Sequence, residues 1–169
     1  LKYHSGSGLV DDLPDFPLPS STKFNIALSH ATVQNCLLHN YTKTTTGIPV
    51  EWFNGYNLVL LGDIHLQSAK YSKKHDLYYG YPGSLVQQDF GEGLFNHGLL
   101  VWNLDDTGTK LNDVEKIHIY NSCGRGNLKI LDNQIFINSC NYESFEDFLN
   151  RTNIPKELHL RLYCKENTD

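Results

Sequence analysis

The chain has 169 residues with a formal net charge of −5, 40% hydrophobic residues and 12% aromatic residues. That composition is globular, not disordered, with enough apolar material for a core. The acidic balance argues against a dedicated basic nucleic-acid surface on these residues but not against phosphate chemistry, because bound metal ions supply positive charge locally. No apolar run is long enough to span a bilayer and no signal peptide opens the chain. The expected setting is a reducing one, cytoplasmic or nuclear, without secretion or a membrane. The four cysteines, Cys36, Cys123, Cys140 and Cys164, are scattered with no C-x-x-C. They read as free buried thiols, not as a zinc site or disulfide frame. The chain has no Met and starts at Leu1, so a longer protein is expected around it.

Residues 1–22 carry Gly6, Gly8, Pro14, Pro17, Pro19 and several Asp, the pattern of an irregular, solvated connector. Lys23–Ser29 alternates through Phe24, Ile26 and Leu28 and predicts a strand ending at the polar break Ser29-His30-Ala31. Thr32–Tyr41 suits a short helix or a loop, and Thr42–Gly47 a loop. Leu58–Leu61 is an apolar run that stops at Gly62, as in a buried strand at the centre of an α/β sheet. Asp63 and His65 follow it two residues apart, so in extended backbone they point the same way. Ligands of such sheets gather at the carboxyl ends of the strands. Taken alone, this pair is a polar turn with Asp capping the next segment. Taken together, Asp63, His65 and His30 supply the N/O donors that suit manganese, iron or zinc.

Ser68–Asp76 is polar and basic and predicts a loop. Lys70, Lys73 and Lys74 beside Tyr71 suit a solvated loop better than a contact to a nucleic-acid backbone. Leu77–Gly80 predicts a short strand, residues 81–93 (YPGSLVQQDFGEG) a structured loop, Gly98–Leu104 a buried strand and Asp105–Lys110 a turn. Beyond it, Val114–Tyr120 alternates. Asn127–Leu131 and Gln134–Ile137 predict a hairpin about Asp132-Asn133, with Gly124-Arg125-Gly126 as a hairpin connection. Ser144–Asn150 predicts a short helix capped by Ser144, with Asp147 three residues on. Leu158–Cys164 predicts a strand alternating through Leu158, Leu160 and Leu162. His39, His75, His118 and His159 read as surface or strand histidines, and Trp52 and Trp102 as core.

In this order and spacing, residues 27–33 (ALSHATV), 60–65 (LLGDIH), 81–92 (YPGSLVQQDFGE) and 98–104 (GLLVWNL) resemble the C-terminal half of a calcineurin-like metallophosphoesterase. The similarity is greatest to the SbcD-like nucleases that process DNA double-strand breaks. The likeness covers residues 23–104, and 81–92 is its most specific piece. Asp63 stands where the family carries His, a form that resembles versions found in large DNA viruses.

The resemblance implies a fold class of α/β, part of a layered sandwich of two sheets flanked by helices, with a small α+β module after it. Residues 1–22 would be a connector, 23–106 the C-terminal half of the phosphoesterase domain and 107–169 the appendage. It implies metal-dependent phosphodiester hydrolysis on DNA, with two divalent ions, usually manganese, activating a water. His30, Asp63 and His65 would be metal ligands, and Gly83 and Ser84 would approach the substrate phosphate, unless Gly83 simply lets the loop turn. A carboxylate at Asp63 preserves a donor but alters metal preference. The implied partners are DNA and an SMC-like ATPase, with a homodimer also compatible.

The family's earlier Asp-x-His, Gly-Asp and Gly-Asn-His motifs do not precede His30. Residues 1–169 alone are therefore expected to lack nuclease activity. A rival register makes Asp63-Ile64-His65 the family's first motif and Asn96-His97 its Asn-His motif, but the segment between them is too short for a crossover. Two other functions stay open: a non-catalytic binding or structural remnant, and a phosphatase or small-phosphodiester esterase on the same superfold.

Overall fold

A computed structural model describes residues 19–38, 41–131, 134–138, 140–150 and 154–163, and the backbone of 3–5. Most of the expected connector, His39, the Asp132-Asn133 turn and Cys164 lie outside the described residues. The chain divides into two compact units, the first made of residues 1–84 and 98–117, the second of 85–97 and 118–169.

The first unit holds a five-stranded sheet in the order β1-β2-β3-β5-β4. Strands β1 (Tyr3–Ser5), β2 (Ile26–His30), β3 (Leu58–Gly62) and β5 (Leu77–Tyr81) run parallel, and β4 (Ser68–Ser72) closes the edge antiparallel to β5. The register sets His30 opposite Gly62 and Leu60 opposite Gly80. Alternation then splits the sheet into two faces. One face sends Ala27, Val59, Leu61, Leu77 and Tyr81 into a core completed by Val33, Ile48 and Phe53. The other carries Leu28 and Leu60, only half buried. Strands β6 (Gly98–Leu104) and β7 (Leu111–His118) form a two-stranded sheet about the predicted turn. There the Asp105 carboxylate accepts the backbone N–H of Thr109 at 2.8 Å. That bond, the first of several to it, holds Asp105 below its usual pKa.

The expected α/β layered sandwich with flanking helices is overturned: the protein is mostly β. Among the described residues one α-helix is present, five residues long, and it belongs to the second unit. Parallel strands are usually joined by crossover helices. Here the connection from β2 to β3 is a loop ending in a 3-10 turn, Val50–Phe53, and that from β3 to β5 passes through β4. Within 32–41 the backbone finds partners across the loop instead of along a helix. Gln34 N–H donates to Ile48 C=O at 2.9 Å, and Leu38 N–H to Thr42 C=O at 2.9 Å. The threonine-rich stretch at 42–47 supplies partners for this loop, and Thr and Asn side chains favour such local alternatives over helix. The basic stretch expected as a loop contributes β4, because an edge strand tolerates polar and lysine side chains.

The close fit of β4 on β5 depends on Gly80. A Cβ there would stand 2.5 Å from Ser68 O and 2.9 Å from the Trp102 ring. Gly80→Ala is expected to destabilise the first unit by about 1–3 kcal/mol through overpacking, measured by urea unfolding. A loss under about 0.5 kcal/mol would contradict the packing.

The second unit is a four-stranded sheet, β10-β9-β8-β11. Strand β8 (Cys123–Leu131) pairs antiparallel with β9 (Gln134–Ile137), β9 antiparallel with β10 (Cys140–Tyr142), and β8 parallel with β11 (Glu157–Tyr163). Leu131 faces Gln134 across the hairpin, as predicted. Gly124-Arg125-Gly126, expected as a connection, lies inside β8 because β11 pairs along it, His159 opposite Arg125. Where β9 ends, Gln87 replaces it. Its amide accepts Arg125 N–H at 2.6 Å and donates to Arg125 C=O at 2.6 Å, as a strand peptide would. The helix α1 (Phe145–Leu149) is capped as expected, Ser144 Oγ accepting Asp147 N–H at 3.0 Å. In β11 the leucines do alternate, but Leu162 is 60% exposed on this edge strand. No described helix is long and apolar enough to cross a membrane.

Candidate functional site

The polar residues that follow β2, β3 and β5 meet at one end of the first unit's sheet. β2, β3 and β5 are adjacent and parallel, so their carboxyl ends lie side by side. His30 is the last residue of β2, Asp63 follows β3 directly, and Pro82-Gly83-Ser84 follows β5 directly. Ala31 and Val33, just past His30, are tied to β5 by one side chain. The Tyr81 hydroxyl accepts Val33 N–H at 2.7 Å and donates to Ala31 C=O at 2.8 Å. Burial pushes the Tyr81 pKa up from its ordinary 10.0, so the hydroxyl keeps its proton.

Thr32 Oγ1 donates to Asp63 Oδ2, joining the loop after β2 to the loop after β3. Asp63 has φ +99°, a conformation that costs a non-glycine residue about 1–3 kcal/mol and that collects at functional positions. The loop after β5 stacks on the loop after β3: Ser84 N–H donates to His65 C=O at 3.2 Å. Gly83 has φ +78°, and a Cβ there would stand 2.9 Å from His65 O. Its role in shaping the loop is thus visible in the backbone. Ser84 is buried and its carbonyl accepts Gly98 N–H at 3.1 Å, so the loop is anchored to β6. Gln67 Nε2 donates to Leu99 C=O at 2.9 Å and anchors the neighbouring loop to the same strand.

The side chains of His30, Asp63 and His65 are exposed. They share this strand-end surface, but their donor atoms are not drawn together into a compact cluster; the group of that kind among the described residues is Cys123, Glu157 and His159. A cavity of about 350 Å³ opens beside His30, lined by Leu28, Leu60, Gly80, Leu100 and Trp102 among others. Ser29 also lines it, and its buried Oγ has no hydrogen-bond partner. Lys70 lies in β4, while Lys73 and Lys74 are exposed just after it. Tyr71 stacks on Tyr78 with ring centres 4.6 Å apart and bonds Asp76 at 2.6 Å.

The expectation that the cysteines are all buried fails. Cys36 is buried, whereas Cys123 and Cys140 are exposed. Reading the sequence also misses the grouping of Cys123 with Glu157 and His159, whose ligand atoms all lie within 4.8 Å of one another. The available signal was Glu157-x-His159 in an alternating strand. The pairing that brings Cys123 to it is not written in any local pattern.

No protein-family model matches the chain. No solved structure matches it either. Over 148 residues, 87% of the chain, it is 34% identical to uncharacterized protein R555 of Acanthamoeba polyphaga mimivirus. The chain spans 9% of that protein's length.

Proposed function

We propose that this chain is one part of a metal-dependent phosphodiesterase acting on DNA, similar to the SbcD-like nucleases, and that it needs the rest of a longer polypeptide or a partner chain for turnover. The observation that carries this is the clustering of three separate stretches at the carboxyl ends of adjacent parallel strands: His30, Asp63 to His65, and Pro82 to Ser84. Strand ends of parallel sheets are where ligands bind. Two imidazoles and a carboxylate form a donor set that suits manganese.

His30, Asp63 and His65 would hold metal there, with Ser84 and the Gly83 backbone toward the substrate phosphate. Bound divalent ions would supply charge neutralisation and an activated water. This chain's own part is to position those donors, through Tyr81, Thr32 and the Ser84-to-His65 bond. Three donors are too few for two ions, so the remaining ligands come from outside these residues. DNA as substrate, an SMC-like ATPase or a second copy as partner, and a cytoplasmic or nuclear setting belong to the same proposal. The strained backbone at Asp63 favours this reading over a non-catalytic remnant, which would have no use for the cost.

The test is manganese-dependent turnover by the natural longer protein, with single-stranded DNA compared against a small phosphodiester. His65→Ala is expected to lower DNA turnover by at least about 100-fold, the upper end of what loss of a ligand-orienting partner costs. Residues 1–169 alone are expected to be inactive. Unchanged turnover in both His65→Ala and Asp63→Asn would overturn the assignment, and preference for the small phosphodiester would move the substrate class away from DNA.

A further inference from the structure

We propose that Cys123, Glu157 and His159 form a zinc-type cation site that clips the edge strand β11 to β8. The site is separate from the strand-end loops of the first unit and does not depend on the phosphodiesterase reading. Its geometry follows from the sheet. Cys123 and Glu157 are the first residues of two parallel strands and stand opposite each other in register. His159 lies two residues beyond Glu157, so alternation returns it to the same face. Glu157 N–H donates to Ser122 C=O at 2.9 Å, which holds the start of β11 against the start of β8. The thiol sulfur, carboxylate oxygen and imidazole nitrogen then fall within 4.8 Å of one another.

Around a tetrahedral zinc, with bonds of about 2.0–2.3 Å, two donors stand roughly 3.4–3.8 Å apart. Closing the difference takes side-chain rotation on fixed strands, and all three residues are exposed. The donor chemistry selects the ion: a soft thiolate beside an imidazole suits zinc, whereas the thiolate disfavours the harder manganese and magnesium. Three protein ligands leave one position for water. Arg125, opposite His159, does not oppose the cation freely, because its guanidinium donates to Gln87 C=O at 3.1 Å. The opposite face of the same strands is apolar and packed: a Cβ on Gly126 would stand 2.8 Å from Leu160 and 2.9 Å from Ile137. The strands therefore cannot rotate to disperse the donors.

The test uses the natural protein carrying these residues, with cobalt(II) as a spectroscopic probe and zinc(II) as competitor. Wild type is expected to bind one more equivalent of cobalt than Cys123→Ser and to show a thiolate-to-cobalt charge-transfer band that the variant lacks. Zinc should displace that equivalent. Glu157→Gln and His159→Gln should each weaken it at least about tenfold, and the His30→Ala/His65→Ala double variant should retain it. Matching circular dichroism of the metal-free proteins checks that the variants fold. Equal cobalt stoichiometry and equal absorbance in wild type and Cys123→Ser would overturn the site. So would loss of the band in the His30→Ala/His65→Ala variant with Cys123 intact.

Discussion

Replacing Tyr81 by Phe is expected to destabilise the first unit by about 2–6 kcal/mol, although the ring is retained and no cavity forms. The Tyr81 side chain is 1% exposed, and its hydroxyl satisfies two backbone groups, Val33 N–H and Ala31 C=O. Leaving a buried donor and a buried acceptor unmade costs about 1–3 kcal/mol each. Denaturant unfolding gives the total, and amide exchange at Val33 should accelerate before the rest of the sheet does. The loop released in this way follows His30 and contains Thr32, the residue that donates to Asp63. If the phosphodiesterase reading proposed above holds, metal-dependent turnover by the natural protein should fall in the same variant.

The pH dependence has a definite sign. Unfolded Tyr81 ionises near 10.0, whereas burial holds the folded residue protonated above that value. The unfolded state then releases a proton that the folded state keeps, so this tyrosine's contribution is lost as pH rises above about 10. Tyr81→Phe should remove that part of the alkaline loss. A variant as stable as wild type, with Val33 still protected, would show that the hydroxyl is not the tie between β5 and the loop.

Phe148→Ala is expected to cost about 3–5 kcal/mol and to unfold the second unit first, as for complete truncation of a buried aromatic ring. Phe148 is 0% exposed and packs edge-on against Tyr142, ring centres 5.1 Å apart. Ile137 and Leu94 complete that small core. A five-residue helix has no stability of its own in water, so α1 exists because this ring is buried. Amide exchange resolves the two units: protection of β8 and β9 should drop while β2, β3 and β5 keep theirs, since Phe148 is absent from the first unit's core. A loss below about 1 kcal/mol, or equal loss of protection in both units, would contradict this packing.

Local pattern was enough to place several elements. The apolar runs ending at Gly62 and Leu104 are strands β3 and β6, the alternation about Asp132-Asn133 is the hairpin of β8 and β9, and Ser144 caps the helix predicted from it. These signals are carried by neighbours in sequence: side-chain period, turn chemistry and a cap three residues from the N–H that donates to it. The placement of His30, Asp63, His65 and Ser84 at strand ends was legible for the same reason, since each stands within three residues of the end of β2, β3 or β5, all predicted strands.

What the sequence by itself determined was therefore where strands begin and end and which polar residues stand at their tips. Only the tertiary structure decided how the strands are joined and which tips share a surface. That no α-helix joins β2 to β3 among the described residues could not be read, because the bonds that replace helix in residues 32–38 run to Thr42, Thr44 and Ile48 across a loop. The polar stretch at 68–72 is a strand only because β5 offers it an edge. Gly124-Arg125-Gly126 is extended only because β11 pairs with it, and the same pairing sets Cys123 beside Glu157 and His159. Pairing between distant segments leaves no period in the chain; it is selected by packing and backbone satisfaction once the segments meet.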